Sequence, residues 1–132
     1  MTLLLSLMMI TGNNLNNMVR LQFRPRATFN ADLKRLGRID PTIIDDVRSA
    51  IDELLENGSL SGEYGDHPLK RRLSGYREFH VRDTPHGKQP SDTNDVLVIW
   101  YIERHELVAV GVRVGSHDRL FSNKNSSKKY YK

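Results

Sequence analysis

Apolar and polar positions alternate from Val19 to Arg24, with Val19, Leu21 and Phe23 set against Arg20, Gln22 and Arg24. A period of two places the apolar set on one face, so the segment predicts a strand with one buried side, closed by Pro25. The spacing then becomes helical. Phe29, Leu33 and Leu36 recur at intervals of four and three, with Thr28 as the expected N-cap and Gly37 as the expected stop. A stronger helical pattern follows, in which Asp40 caps, Pro41 takes the first helical position, and Ile43, Ile44, Val47, Ile51, Leu54 and Leu55 form one stripe ending at Asn57-Gly58. Asp45 and Asp46 near its start complement the helix dipole, so propensity and burial pattern agree. The two helices are expected to form a hairpin.

Tyr76 to Val81 reads as the next strand, followed by a polar stretch from Arg82 to Asn94 that contains Pro85, Gly87 and Pro90 and is long for a hairpin loop. Val96 to Ile102 is an almost unbroken apolar run that includes Trp100, as expected of a central strand covered on both faces. Glu103 to Glu106 makes a turn, and Leu107 to Val114 supplies the partner strand. The order of elements implies an α+β domain, with an N-terminal strand and helical hairpin packed on a largely antiparallel sheet.

The flanks read differently. Leu3 to Ile10 is apolar, but no basic residue precedes it, no small-residue cleavage site follows, and it is shorter than the roughly 20 residues that span a bilayer. After it, Asn13, Asn14, Asn16 and Asn17 make a polar break. Residues 1–17 are therefore read as an N-terminal extension, 18–121 as the folded domain and 122–132 as a flexible basic tail of serine, asparagine and lysine. A chain starting at Met18 is expected to keep the fold and activity.

A length of 132 residues suits one domain with a single core. The absence of cysteine excludes disulfides, thiolate metal sites and cysteine nucleophiles, and it fits a reducing compartment, with the cytoplasm as the expectation. Net charge is +4, and the excess is concentrated: residues 64 to 132 carry thirteen basic and eight acidic side chains. All five histidines lie in the same half, so the region suited to proton chemistry is also the one that attracts a polyanion.

Three of those histidines stand in distinct settings: His67 in Asp66-His67-Pro68, His80 in Glu78-Phe79-His80-Val81, and His117 in Gly115-Ser116-His117-Asp118. Alternation places Tyr76, Glu78 and His80 on one face of their strand, with Phe79 and Val81 opposite, so His80 faces solvent if the latter pair faces the helices. Asp95 begins the following strand, where hairpin pairing brings it towards His80, and His117 follows the last strand at a sheet end. Cleavage of RNA without a metal needs a base for the 2′-hydroxyl proton, an acid for the departing 5′-oxygen and cations for the charge on phosphorus. Arg71, Arg72, Arg77, Arg82 and Arg119 are candidate phosphate contacts, with Arg77 equally explained as the partner of a structural carboxylate. His86 and His105 read as loop and turn residues. A rival reading makes His67, His80, Asp95 and His117 ligands of zinc or another transition metal, although their spacing follows no standard pattern.

Five segments carry a family resemblance: Phe29-Asn30-Ala31-Asp32-Leu33-Lys34-Arg35-Leu36, Tyr64-Gly65-Asp66-His67-Pro68-Leu69, Gly75-Tyr76-Arg77-Glu78-Phe79-His80-Val81, Asp95 leading into Val98-Ile99-Trp100, and Gly115-Ser116-His117-Asp118-Arg119-Leu120-Phe121. In this order, and on these elements, they resemble the YafQ branch of the RelE-like toxins. The resemblance implies the toxin of a bacterial type II toxin-antitoxin pair, an endoribonuclease that enters the ribosomal A site, cuts translated messenger RNA without a metal or other cofactor, and is inhibited by a cognate antitoxin. The family's functional set falls on His67, His80, Asp95, His117 and Phe121. Some relatives carry an aromatic residue directly after that aspartate, where this chain has Val96, while Phe121 remains able to stack on a base. The expected mechanism takes Asp95 or His80 as general base and His117 as general acid, with His67 and nearby arginines orienting the phosphate. The alternative, from toxins of the same architecture, is a non-catalytic protein that acts by binding a target such as DNA gyrase.

Overall fold

The computed structural model describes residues 21–122, so the expected extension and nearly all of the expected tail lie outside the described residues. Five strands form one sheet in the order β1-β5-β4-β3-β2: β1 (Gln22–Pro25), β2 (His67–Pro68), β3 (Arg77–Arg82), β4 (Val96–Glu103) and β5 (Val108–Gly115). The pair β1-β5 is parallel and the other three are antiparallel. Helices α1 (Ala27–Ile39) and α2 (Thr42–Asn57) follow β1, and a short α3 (His117–Phe121) follows β5. The α+β architecture is the one expected from the order of patterns.

Strand β4 sits at the centre of two cores. Val96, Val98 and Trp100 join Phe29, Leu36, Ile43, Val47, Leu54 and Phe79 beneath the helical pair. Leu97 and Ile99 project to the other face, where Val112 and Leu120 are buried with them and Leu69, Leu73, Tyr76, Tyr101 and Phe121 pack around the edge. This two-sided burial explains why the strand reads as a continuous apolar run.

Two expected helix boundaries are corrected. Thr28 is not the N-cap of α1, which begins one residue earlier; its hydroxyl donates instead to the Val112 carbonyl at 2.6 Å, tying α1 to β5. Nor does Gly37 stop α1, which continues to Ile39. A Cβ at position 37 would fall 2.4 Å from Ile44 Cδ1, so this glycine serves the close approach of α1 and α2. The start of α2 follows expectation: Asp40 Oδ1 accepts from the Thr42 N–H at 3.0 Å, and Pro41 already has helical angles. At its end Gly58 adopts φ 73°, a left-handed conformation that closes the helix on the Leu54 carbonyl.

Buried charge fixes α1 against the sheet. Arg113 of β5 reaches Asp32 through Nε at 2.6 Å and a terminal nitrogen at 3.0 Å, while Asp32 also accepts from the Val114 N–H at 3.1 Å. The short strand β2 and helix α3 carry too few residues for periodicity and were not anticipated. Among the described residues no helix is long and apolar enough to cross a membrane.

Candidate active site

Strand register assembles the site. Phe79 of β3 enters the core beneath the helices and Val81 packs against it, so Glu78 and His80 project to the opposite face. His67 on β2 pairs with Glu78, His80 pairs with Leu97 at the start of β4, and Leu97 pairs with Gly115 at the end of β5. Asp95 just before β4 and His117 just after β5 are consequently brought to the same end of the sheet as His80. Ser116 caps α3, its hydroxyl accepting from the Arg119 N–H at 3.2 Å, and this starts the helix at His117.

Three imidazoles converge on one carboxylate oxygen. Glu78 Oε2 lies 3.0 Å from His80 Nε2, 3.2 Å from His67 Nε2 and 3.8 Å from His117 Nε2. The Glu78 side chain is 7% exposed, against 51% for His67 and 47% for His117, so an almost buried anion carries a solvent-facing layer of imidazoles. The His80 and His117 ring centroids are 5.1 Å apart. Phe121, one helical turn beyond His117, has its ring 6.1 Å away. The four residues expected as catalytic, together with Phe121, are thus brought into one cluster.

Each outer contact constrains a proton. Asp95 accepts from the His117 backbone N–H at 2.9 Å and lies 2.9 Å from Nδ1 of the same ring, leaving Nε2 turned towards Glu78 and the open face. His80 stands between two acceptors, with Asp83 Oδ1 at 2.7 Å from Nδ1 and Glu78 on Nε2. Burial disfavours its charge, but the hydrogen bonds that the ring donates to Asp83 and Glu78 outweigh that effect and raise its pKa above the usual histidine value. His80 is therefore partly buried and held towards the imidazolium form.

Glu78 is the functional candidate that sequence reasoning missed. Its signal was present, since alternation placed it on the face of His80, two residues away, but nothing in the pattern marked it as the point of convergence. The arginines divide into different roles. Arg77 donates from Nε and a terminal nitrogen to Asp66 Oδ2 at 3.0 and 2.8 Å, while Trp100 Nε1 donates to the other oxygen at 3.0 Å, which is a structural arrangement. Arg82, expected among the phosphate contacts, is instead engaged by Asp46, Asp40, Thr42 and the Thr93 carbonyl, and so anchors the loop to the start of α2. Arg119 lies 3.9 Å from Asp92 of that loop. Arg71 and Arg72 are exposed in a 3-10 turn (Arg71–Leu73) joining β2 to β3, the strands that carry His67, Glu78 and His80. Val96 is fully buried and offers no stacking surface.

The metal grouping also differs from expectation. Among the described residues, donor atoms of His67, Glu78 and His80 lie within 4.8 Å of one another, a set able to close on one transition-metal ion. Asp95 and His117 pair with each other instead of joining it.

The α+β fold that carries this cluster resembles that of solved YafQ toxin structures. The profile described as bacterial toxin of type II toxin-antitoxin system, YafQ, matches residues 21–122, and the chain belongs to that family. The structure resembles the Escherichia coli DinJ-YafQ complex, with 24% identity over 77% of this chain and 99% of that one and a TM-score of 0.58. It also resembles a metal-bound toxin from Helicobacter pylori, with 29% identity over 76% of this chain and 99% of that one and a TM-score of 0.55. No curated protein matches the chain.

Proposed function

We propose that this toxin is a ribosome-dependent, metal-independent endoribonuclease that cuts messenger RNA in the A site of cytoplasmic ribosomes and is held inactive by a cognate antitoxin. The observation that carries this reading is the convergence of His67, His80 and His117 on Glu78 Oε2, with Asp95 orienting His117. The E. coli YafQ structure in complex with DinJ supports the antitoxin as partner.

In this mechanism Glu78 replaces Asp95 or His80 as the general base. Both Asp95 oxygens are engaged by His117, and both His80 ring nitrogens face carboxylates, which raise its pKa and favour its protonated form. Glu78 takes the 2′-hydroxyl proton on Oε1, the oxygen not engaged by His80 and His67, as O2′ attacks phosphorus. The bond from phosphorus to O5′ breaks, and protonated His117 gives its Nε2 proton to the departing oxygen, leaving a 2′,3′-cyclic phosphate and a 5′-hydroxyl. His80 and His67 face the negative charge that builds on the phosphate, with Arg71 and Arg72 as more distant cations.

The test is an in vitro translation reaction in which messenger RNA breaks are mapped for wild type and His117→Ala, with and without a chelator. Cleavage by wild type, insensitive to chelation and lost in the variant, is the expected result. Intact RNA in this reaction, together with growth arrest in cells that express the wild type, would replace the enzyme with a toxin that acts by contact, such as a gyrase binder. Cleavage abolished by the chelator and restored by zinc would transfer the chemistry to an ion held by His67, Glu78 and His80.

A further inference from the structure

Tyr76, Tyr101 and Arg26 form a row across the face of the sheet that carries Glu78 and His80. The register that pairs Arg77 with Trp100 and Glu78 with Ile99 sets Tyr76 opposite Tyr101, and the two rings meet edge to face at 5.7 Å. Arg26 follows β1, with its backbone N–H on the Gly111 carbonyl at 2.8 Å. From there its guanidinium crosses β5, lies 5.3 Å from the Tyr101 ring centroid and reaches the Tyr101 hydroxyl at 3.3 Å. Tyr76 is two residues from Glu78 along the chain, a step of about 7 Å in a strand. All three side chains are only partly buried. Lys70, Arg71 and Arg72 are exposed beside them, on a segment whose Leu69 and Leu73 pack onto this same face.

We infer that this row is a stacking platform for an unpaired base of the RNA strand next to the scissile phosphate, an inference that rests on the nuclease reading above. Single-stranded RNA is gripped where aromatic rings and guanidinium planes accept base faces within a cationic surround. The row supplies both kinds of plane, and its charge complements a polyanion. Arg26 stays protonated, and its packing on Tyr101 orders the guanidinium before substrate arrives, which lowers the entropy lost on binding. Phe121 beyond His117 and the tyrosine row beyond Glu78 would thus hold the strand on either side of the reacting phosphate. The row takes no part in proton transfer, so its effect falls on substrate affinity.

The experiment measures KM and kcat for cleavage of messenger RNA on programmed ribosomes by wild type, Tyr101→Leu, Tyr101→Phe and Arg26→Gln. Direct binding of a single-stranded oligoribonucleotide, with a 2′-deoxy sugar blocking cleavage, is measured alongside. Losing one stacked base is worth about fivefold to about a hundredfold in affinity. Tyr101→Leu and Arg26→Gln are expected to raise KM and weaken oligonucleotide binding by such factors with kcat little changed, while Tyr101→Phe, which keeps the ring, stays near wild type. Should Tyr101→Leu fail to fold, Arg26→Gln decides, because it alters only a partly exposed side chain. A wild type that cleaves nothing overturns the nuclease reading. A cleaving wild type whose KM and oligonucleotide affinity survive both changes overturns the platform alone.

Discussion

Asp95 holds His117 at two points, the backbone N–H and ring Nδ1, each at 2.9 Å. One carboxylate therefore fixes both the first residue of α3 and the tilt of its ring. Asp95 stands just before β4 and His117 just after β5, so the pairing of Leu97 with Gly115 sets the site geometry.

Replacing Asp95 with asparagine tests that orientation. The amide keeps the size of the side chain but carries no charge, so its remaining oxygen holds the His117 ring and N–H more weakly than the carboxylate does. Single-turnover cleavage is expected to slow by at least about a hundredfold, the scale of a misplaced acid-base group. Thermal melting, followed by circular dichroism, should show that the domain still folds. Unchanged cleavage would remove Asp95 from the mechanism.

Glu78→Gln asks whether the shared anion is required. Three imidazoles lose their common negative partner while the volume stays the same, and the proposed base disappears. The rate is expected to fall by about a hundredfold to ten-thousandfold. Glu78→Asp, shorter by one methylene, should recover part of it, since the charge remains but its reach is reduced. Equal rates for the glutamine and aspartate variants would count against a proton-transfer role.

Much of this arrangement was legible in the chain because the relevant signals are periodic. The apolar run of β4, the stripe of α2 and the alternation of β3 identified the core and the face on which His80 lies. The pairing of His67 with Glu78 was not legible, because β2 is two residues long and carries no period. The roles of Arg77 and Arg82 were equally hidden: a guanidinium bound to a carboxylate and one free for phosphate have the same sequence. Thr28 looked like a cap because the motif is local, and the competing acceptor, the Val112 carbonyl, is distant in the chain. Convergence on Glu78 depends on tertiary register, which no spacing rule contains.

His80 gives a pH dependence of known sign. Its pKa is raised in the folded protein, against burial, by Asp83 and Glu78. A raised value means that protonation stabilises the fold; that contribution is complete below the unfolded value of about 6.5 and is lost as pH rises through the folded value. Asp83→Asn removes the leading favourable contact, so the His80 titration followed by nuclear magnetic resonance should shift to lower pH. If His80 acts as a cation in cleavage, the alkaline fall in rate should shift in the same direction. A titration that ignores the substitution would dismiss Asp83 as the group holding the proton.

Away from the site, Asp32 and Arg113 make the buried ion pair on which the seating of α1 depends. Removing one member of such a pair takes the carboxylate away from a guanidinium in a place that water does not reach, so Asp32→Ala is expected to cost about 3 to 5 kcal/mol in urea denaturation. The Val114 N–H, which also donates to Asp32, is left unpaired by the same change. Replacing both charges at once, with Asp32→Leu and Arg113→Met, removes the guanidinium as well and refills the volume with apolar atoms. The unpaired N–H still costs about 1 to 3 kcal/mol, so the double variant should lie between wild type and Asp32→Ala. A double variant no more stable than the single one would mean that the guanidinium deprived of its carboxylate is not the source of the loss, and that Asp32 acts mainly through the β5 backbone.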